Sequence, residues 1–249
     1  MDWARIFPLI VIFAGIALGL VAVVGLRLLL RGGREREARR LEERQVQVEA
    51  KGWHLETVNE TNIKFRIFGG SRADVGWEMS YDSDAGSTDA KPKLVWRAIE
   101  LSAPRTEFWS TSAVHSRVLK SGAANMAMRL AGQIGSVLPR TGFLDRNELL
   151  SEGQVHTPRS AILREWFAVF CRDPARCARV FDAEVERLLL SFPASSYPKV
   201  QRTNLPEVQF GAAGLEIRVG NRDGQMPVIE HLAALGTAIA QRIQGRAKF

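Results

Sequence analysis

The chain has 249 residues and a formal net charge of +7, with 34 Lys and Arg against 27 Asp and Glu, and only two cysteines. Two cysteines exclude a disulfide framework and suit a reducing compartment. The modest excess of bases is spread thinly, without the basic stripe and interleaved aromatics of a single-strand binder, so no nucleic-acid partner is expected.

The first element is the apolar run FPLIVIFAGIALGLVAVVGLRLLL. Ile6 to Leu26 contains no charged residue, and Pro8 falls in the first turn, where a helix tolerates it. At 1.5 Å rise per residue, about 20 such residues cross a hydrocarbon core of roughly 30 Å. A cleaved signal peptide would have a shorter apolar region and a small-residue cleavage site. Here the run is followed by Arg31-Gly32-Gly33-Arg34, and Trp3 suits an interfacial anchor. Residues 1–30 are therefore expected to form a retained transmembrane anchor.

Lys and Arg resist translocation, so the flank richer in them stays cytoplasmic. Arg5 stands alone before the span, whereas Arg27, Arg31, Arg34, Arg36, Arg39, Arg40 and Arg44 follow it. The expected topology has the N-terminus outside and the large C-terminal domain in the cytosol, as a single-pass protein of a bacterial inner membrane. Within the span, Gly15 and Gly19 form a G-x-x-x-G spacing that lets two helices approach, a candidate self-association face for a homodimer.

Residues 31–51 read as a charged juxtamembrane stalk. Its arginines are offset by Glu35, Glu37, Glu42 and Glu43, which is unlike an undiluted polybasic lipid-binding segment. Pairs such as Glu35–Arg39 at i,i+4 favour a solvated helix. With only Ala38 and Leu41 as apolar residues between Arg31 and Arg44, it carries no coiled-coil seam.

Residues 52–138 form the strand-rich first half of a soluble domain. Trp53, Leu55 and Thr57 alternate, as do Ile63, Phe65 and Ile67, then Val75, Trp77, Met79 and Tyr81, then Leu94, Trp96 and Ala98. Gly69-Gly70 and the stretch Asp82–Asp89 supply turns, so an antiparallel meander with one covered face is expected. Gly122–Leu138 shifts to a helical period through Met126, Leu130, Ile134 and Leu138, and Pro139 stops it. Trp77 and Trp96 are read first as large core residues, and otherwise as a candidate interaction surface on the sheet.

Residues 139–160 are polar and irregular, and are expected to be a mobile loop joining two halves of one unit. Residues 161–249 form an α+β second half. It opens with a mixed apolar run from Ile162 to Phe170. Asp173 with Pro174 behind it is a helix start, and Asp182 offers a restart. Short strands are expected at Val208–Phe210 and Leu215–Val219 around Ala212-Ala213-Gly214, followed by an amphipathic helix from Pro227 to Ile243. The fold class is thus α+β: a transmembrane helix followed by a soluble domain with an antiparallel sheet and packed helices.

The stretch WFAVFCRDPARCARVFDAEVERLL resembles the strand–turn–helix element of uncharacterised single-pass membrane-anchored bacterial proteins of unknown function. The closing GLEIRV and the helix with LAALGTAIA are similar too. The matching positions are those of packing and capping, so the resemblance implies architecture and carries no activity, cofactor or site residue.

No motif in the chain dictates a chemistry. Counted from Asp82 as an EF-hand loop, the sixth and twelfth positions hold Ser87 and Lys93 where Gly and Glu are required. Cys171 and Cys177 have no histidine close in sequence, so no metal site is expected. Cys177 is read as core, while Cys171 near a helix N-terminus has some thiolate character. His54, His115, His156 and His231 are scattered, with His156 in the long loop the best placed to titrate. No Walker, Rossmann or G-x-S-x-G pattern occurs, and no catalytic residue or cofactor is assigned.

The function expected is a membrane-tethered cytosolic binding or scaffold module without catalysis of its own, with a protein partner. The first alternative is a lipid or small-ligand sensor, recognisable by an apolar pocket of several hundred Å³ between sheet and helices. The second is an enzyme with a dispersed site acting near the membrane, recognisable by a pocket that gathers His156, Cys171 or several acids.

Overall fold

The computed structural model describes residues 39–58, 63–70, 75–82, 93–112, 149, 153–192, 205–220 and 224–245. The chain divides into two units, residues 1–50 and 51–249. In the first, the described part is a helix over 39–49 (α1), where Gln45 Nε2 donates to Glu49 Oε1 at 2.9 Å across one turn, while Glu35 lies outside the described residues. The apolar run of residues 6–26, with Gly15 and Gly19, lies outside the described residues. Among the described residues no helix is long and apolar enough to cross a membrane.

The second unit is built on one antiparallel sheet. Its strands are β1 (His54–Thr57), β2 (Ile63–Gly69), β3 (Trp77–Asp82), β4 (Lys93–Ala98), β5 (Phe108–Ser112), β6 (Gln154–His156), β7 (Phe167–Cys171), β8 (Glu207–Gly211) and β9 (Gly214–Gly220). They lie in the order β1-β2-β3-β4-β9-β8-β5-β7-β6. The first four form the expected meander, with Ile67 opposite Met79 and Met79 opposite Trp96. Because side chains alternate, this register puts Phe65, Ile67, Trp77, Met79, Leu94 and Trp96 on one buried face and Arg66, Glu78 and Arg97 on the other.

The path then departs from simple succession. The neighbour of β4 is β9 rather than β5: Trp96 faces Ile217 and Leu94 faces Val219. The hairpin β8–β9 lies between β4 and β5, and Phe210 is opposite both Leu215 and Phe108. Its tight turn requires Gly214, whose φ is +98°, and an added Cβ would meet the Leu101 carbonyl at 3.0 Å. The two halves read from the sequence thus contribute interleaved strands to one sheet. The segment 139–160, expected as a loop, contains the three-residue strand β6, held as an edge by pairing with β7.

The helices of this unit are α2 (Ala161–Trp166), α3 (Pro174–Val180), α4 (Ala183–Leu190) and α5 (Met226–Ile243). The run Ile162 to Phe170 resolves into α2 followed directly by β7. Ser160 caps α2 by accepting from Leu163 N at 3.3 Å. Asp173 caps α3 by accepting from Ala175 N and Arg176 N at 2.9 and 3.1 Å, with Pro174 at the first helical position. Asp182 caps α4 through Glu184 N and Val185 N, both at 3.0 Å.

The buried sheet face is covered by α5, which packs on β4 and β9 and against α3 and α4. Val228, Ile229, Leu232, Leu235 and Ile239 form its buried stripe at helical spacing. Each such large side chain contributes roughly 1.5–3 kcal/mol when taken fully from water. At Gly236 the helix backbone comes so close to the sheet that an added Cβ would stand 2.4 Å from the Trp96 ring. On the opposite face Trp109, Leu149 and Phe170 make a second, smaller apolar cluster. Beyond it that face is polar, with Arg97 Nε 2.9 Å from Glu216 Oε2, Arg218 also paired to Glu216, and Arg66 Nε 3.5 Å from Glu78 Oε1.

Candidate functional site

The aromatic residues singled out in the sequence fall on the buried face under α5. Trp96 is 0 % exposed beneath Gly236, and Trp77 is 3 % exposed. Their rings are 6.4 Å apart at 32°. Trp77 sits opposite Gly69, and the absence of a side chain there makes room for its indole, which an added Cβ would meet at 2.2 Å. Trp53, just before β1, closes edge-on against Trp77 with centroids 5.0 Å apart and planes at 80°.

Where these two rings end, a groove of about 470 Å³ opens between the sheet and the outer side of α5. One wall is Trp53, Trp77 and Val75, with the backbone at Gly70. The other is the row Ala233, Ala234, Thr237, Ala238 and Gln241. From Ala234 the row continues at i+3, i+4 and i+7, with Ala233 beside it, so mostly small side chains line up on one helix face and leave the space unfilled.

Both ends of the groove are charged. Lys51 Nζ stands 3.2 Å from Glu230 Oε1, and these side chains are about equally exposed, at 49 % and 42 %. At the other end Arg242 donates from Nε to Asp182 Oδ2 at 2.6 Å, from Nη2 to Glu184 Oε2 at 2.6 Å, and from Nη1 to the Ala238 carbonyl at 2.9 Å. The Arg242 side chain is 8 % exposed and that of Glu184 57 %. Burial by itself raises the Asp182 pKa, but the Arg242 hydrogen bond, the Val185 and Glu184 N–H groups and the Arg242 charge together hold it below the ordinary carboxylate value. The same pair runs the other way for Arg242, where burial is outweighed by Asp182 and Glu184 and the guanidinium is held more firmly charged.

The candidate titrating groups lie elsewhere. His156 is on β6, half-buried, with its ring 6.3 Å from Phe181. Burial pushes its pKa below the ordinary imidazole value and Arg159 adds to this, against an opposing pull from Glu186. Cys171 ends β7 and Cys177 lies on α3; both are free and buried. Their thiols are hydrogen-bonded to each other, which lowers the Cys171 pKa against burial and, together with burial, pushes Cys177 strongly up. Peptide contact with His156 also favours the Cys171 thiolate, so the fold brings these three residues close together, away from the groove lining.

His231 Nε2 lies 2.7 Å from the Leu188 carbonyl and its ring meets Phe192 edge-on, while His54 stacks on Phe68. His115 and residues 83–89 lie outside the described residues. Among the described residues no group of three or more His, Cys, Asp or Glu could hold a metal ion, and the groove lining contains no His or Cys.

Reading the sequence did not find the groove. Its signal was present in the small residues at 233, 234, 237 and 238, which lie outside the stripe of large apolar side chains on α5 and include the buried Ala233 and Ala238. Comparison of the chain with protein-family models, with curated proteins and with solved structures finds no match in any of the three. The functional reading therefore rests on the residues and their geometry.

Proposed function

We propose that this protein is a membrane-tethered binding module without catalysis of its own, and that the groove beside α5 is where it takes a small, largely apolar ligand. In this reading residues 1–30 anchor it in a bacterial inner membrane with the domain on the cytosolic side. The observation that carries the reading is the groove: about 470 Å³, walled by Trp53, Trp77 and alanines, with Thr237 and Gln241 set among the alanines and charged groups at its ends. Small-molecule sites have this size and this mixture, an apolar wall with a few convergent polar groups. The sheet surface around Trp96 lies under α5, which turns attention from a flat protein-docking face to the concave one.

Ala234 is exposed and faces the groove, so Ala234→Trp fills it from the helix side with little effect on folding, within about 0.5 kcal/mol for a surface site. The test is a ligand-observed NMR screen of water-soluble amphipathic compounds against the full chain in maltoside micelles. Compounds that bind the native protein are expected to be lost from Ala234→Trp. Binding that survives this substitution, or a screen without binders, overturns the reading.

A further inference from the structure

Resting on that reading, we infer that the groove selects an organic ammonium ion, a cationic head on a small apolar body. Three features of the geometry converge on this charge type. The first is the balance of charge at the ends. Lys51 and Glu230 answer each other one to one at 3.2 Å, whereas Arg242 alone answers both Asp182 and Glu184. Two carboxylates share one guanidinium, which among the described residues leaves the Arg242 end of the groove with a net negative charge.

The second is which charge meets the solvent. The guanidinium is 8 % exposed and its Nε, Nη1 and Nη2 all donate to Asp182, the Ala238 carbonyl or Glu184, while the Glu184 side chain is 57 % exposed. An entering anion would face the exposed Glu184 carboxylate before it reached the largely buried Arg242, three of whose five N–H groups are already donated. An entering cation would find an accessible carboxylate oxygen and, among the described residues, no exposed positive charge at that end.

The third is the wall. Trp53, closed edge-on against the buried Trp77, lines the groove with it, and indole is the strongest aromatic partner for a cation, whose attraction to the ring quadrupole acts within about 6 Å of the centroid. A weakly hydrated ammonium with methyl or methylene groups matches such a lining better than a metal ion would, because the walls offer carbon surface rather than a shell of oxygens. Thr237 and Gln241, also in the lining, can accept from a hydroxyl or amide on the ligand body.

The experiment uses three probes of nearly one shape: choline, its uncharged isostere 3,3-dimethyl-1-butanol, and the anion 3,3-dimethylbutanoate. Each is titrated by ligand-observed NMR into the full chain in maltoside micelles, and into the variants Glu184→Gln and Ala234→Trp. Choline is expected to bind roughly tenfold more tightly than the alcohol, the difference a desolvated cation–aromatic contact supplies, and the anion weakest of the three. Glu184→Gln is expected to weaken choline about threefold and leave the alcohol unchanged, while Ala234→Trp abolishes both. Equal affinity for choline and the alcohol, both blocked by Ala234→Trp, overturns the ammonium selectivity and leaves the groove as an apolar site. A choline preference that Glu184→Gln does not reduce overturns the role given to that carboxylate. Binding of no probe to the native chain overturns the ammonium site, and a screen equally empty of other compounds overturns the groove itself.

Discussion

Substituting Gly236 by Ala sets two known effects against each other at one position. In an exposed helix interior, Gly→Ala stabilises by up to about 1 kcal/mol through helix propensity. Here the added Cβ would fall 2.4, 2.4 and 2.6 Å from three atoms of the Trp96 indole, about 1 Å inside ordinary contact. The indole is 0 % exposed between Met79 and Ile217 on the sheet and cannot swing away, so the helix itself must retreat. Overpacking of that kind costs about 1–3 kcal/mol. The clash wins, and the net expectation is a destabilisation of about 1–2 kcal/mol.

A double-mutant cycle with Trp96→Leu isolates the cause. Trp96→Leu alone destabilises through the cavity it leaves, but in that background Gly236→Ala should be neutral or stabilising. The assay is urea unfolding of the full chain in maltoside micelles, followed by circular dichroism, with the midpoint and slope of each variant. A Gly236→Ala protein that is more stable than the native one, or a cycle without coupling, would refute the packing of α5 on Trp96. The groove depends on the same packing, since α5 forms its second wall.

Asp182 does two jobs that two substitutions separate. Asp182→Ala removes the cap of α4 together with the Arg242 partner and should cost about 1–2 kcal/mol, whereas Asp182→Asn keeps a capping oxygen and should recover most of the capping part. Because its folded pKa lies below the unfolded value of about 3.9, the ionised Asp182 contributes stability that is present above pH 4 and lost as pH falls through the folded value; urea midpoints between pH 6 and pH 3 should therefore fall less in Asp182→Asn than in the native chain. His156 titrates in a higher window. Its folded pKa is also depressed, so stability is full above the unfolded value of about 6.5 and declines as pH drops toward the folded one. His156→Leu should flatten the change in urea midpoint between pH 7.5 and pH 5.5, and an unchanged slope would show that another group carries it.

What the sequence made legible was local. The period-2 runs around Phe65–Ile67, Trp77–Tyr81 and Leu94–Ala98 are strands, and Asp173-Pro174 and Asp182 start helices through the side-chain caps their types imply. The hairpin around Gly214 and the helix ending at Ile243 are found where the pattern placed them. What escaped was long-range. Nothing in the residues of β4 says that its partner is β9, because an alternating apolar face fits any neighbour with the same pleat. Gln154–His156 is too short and polar to show a period, and becomes a strand through pairing with β7. Tertiary proximity likewise decides the groove: the alanines on α5 acquire meaning only when Trp53 and Trp77 stand across from them.

The position of the β8–β9 hairpin also fixes the order in which the domain can be completed. Arg97 and Glu216 join neighbouring strands although 119 residues separate them in the chain. During synthesis the meander β1–β4 emerges before the strand that covers its inner edge, whose Glu216 follows Arg97 by 119 residues. Until then β4 presents unpaired N–H and C=O groups, and the apolar face carrying Trp77 and Trp96 lacks the helix that covers it. Chains halted before residue 207 would thus lack the centre of the sheet rather than a trimmed margin. Such intermediates hold exposed edges for the whole time the ribosome needs to pass from β4 to β9, the circumstance in which nascent proteins depend most on chaperones.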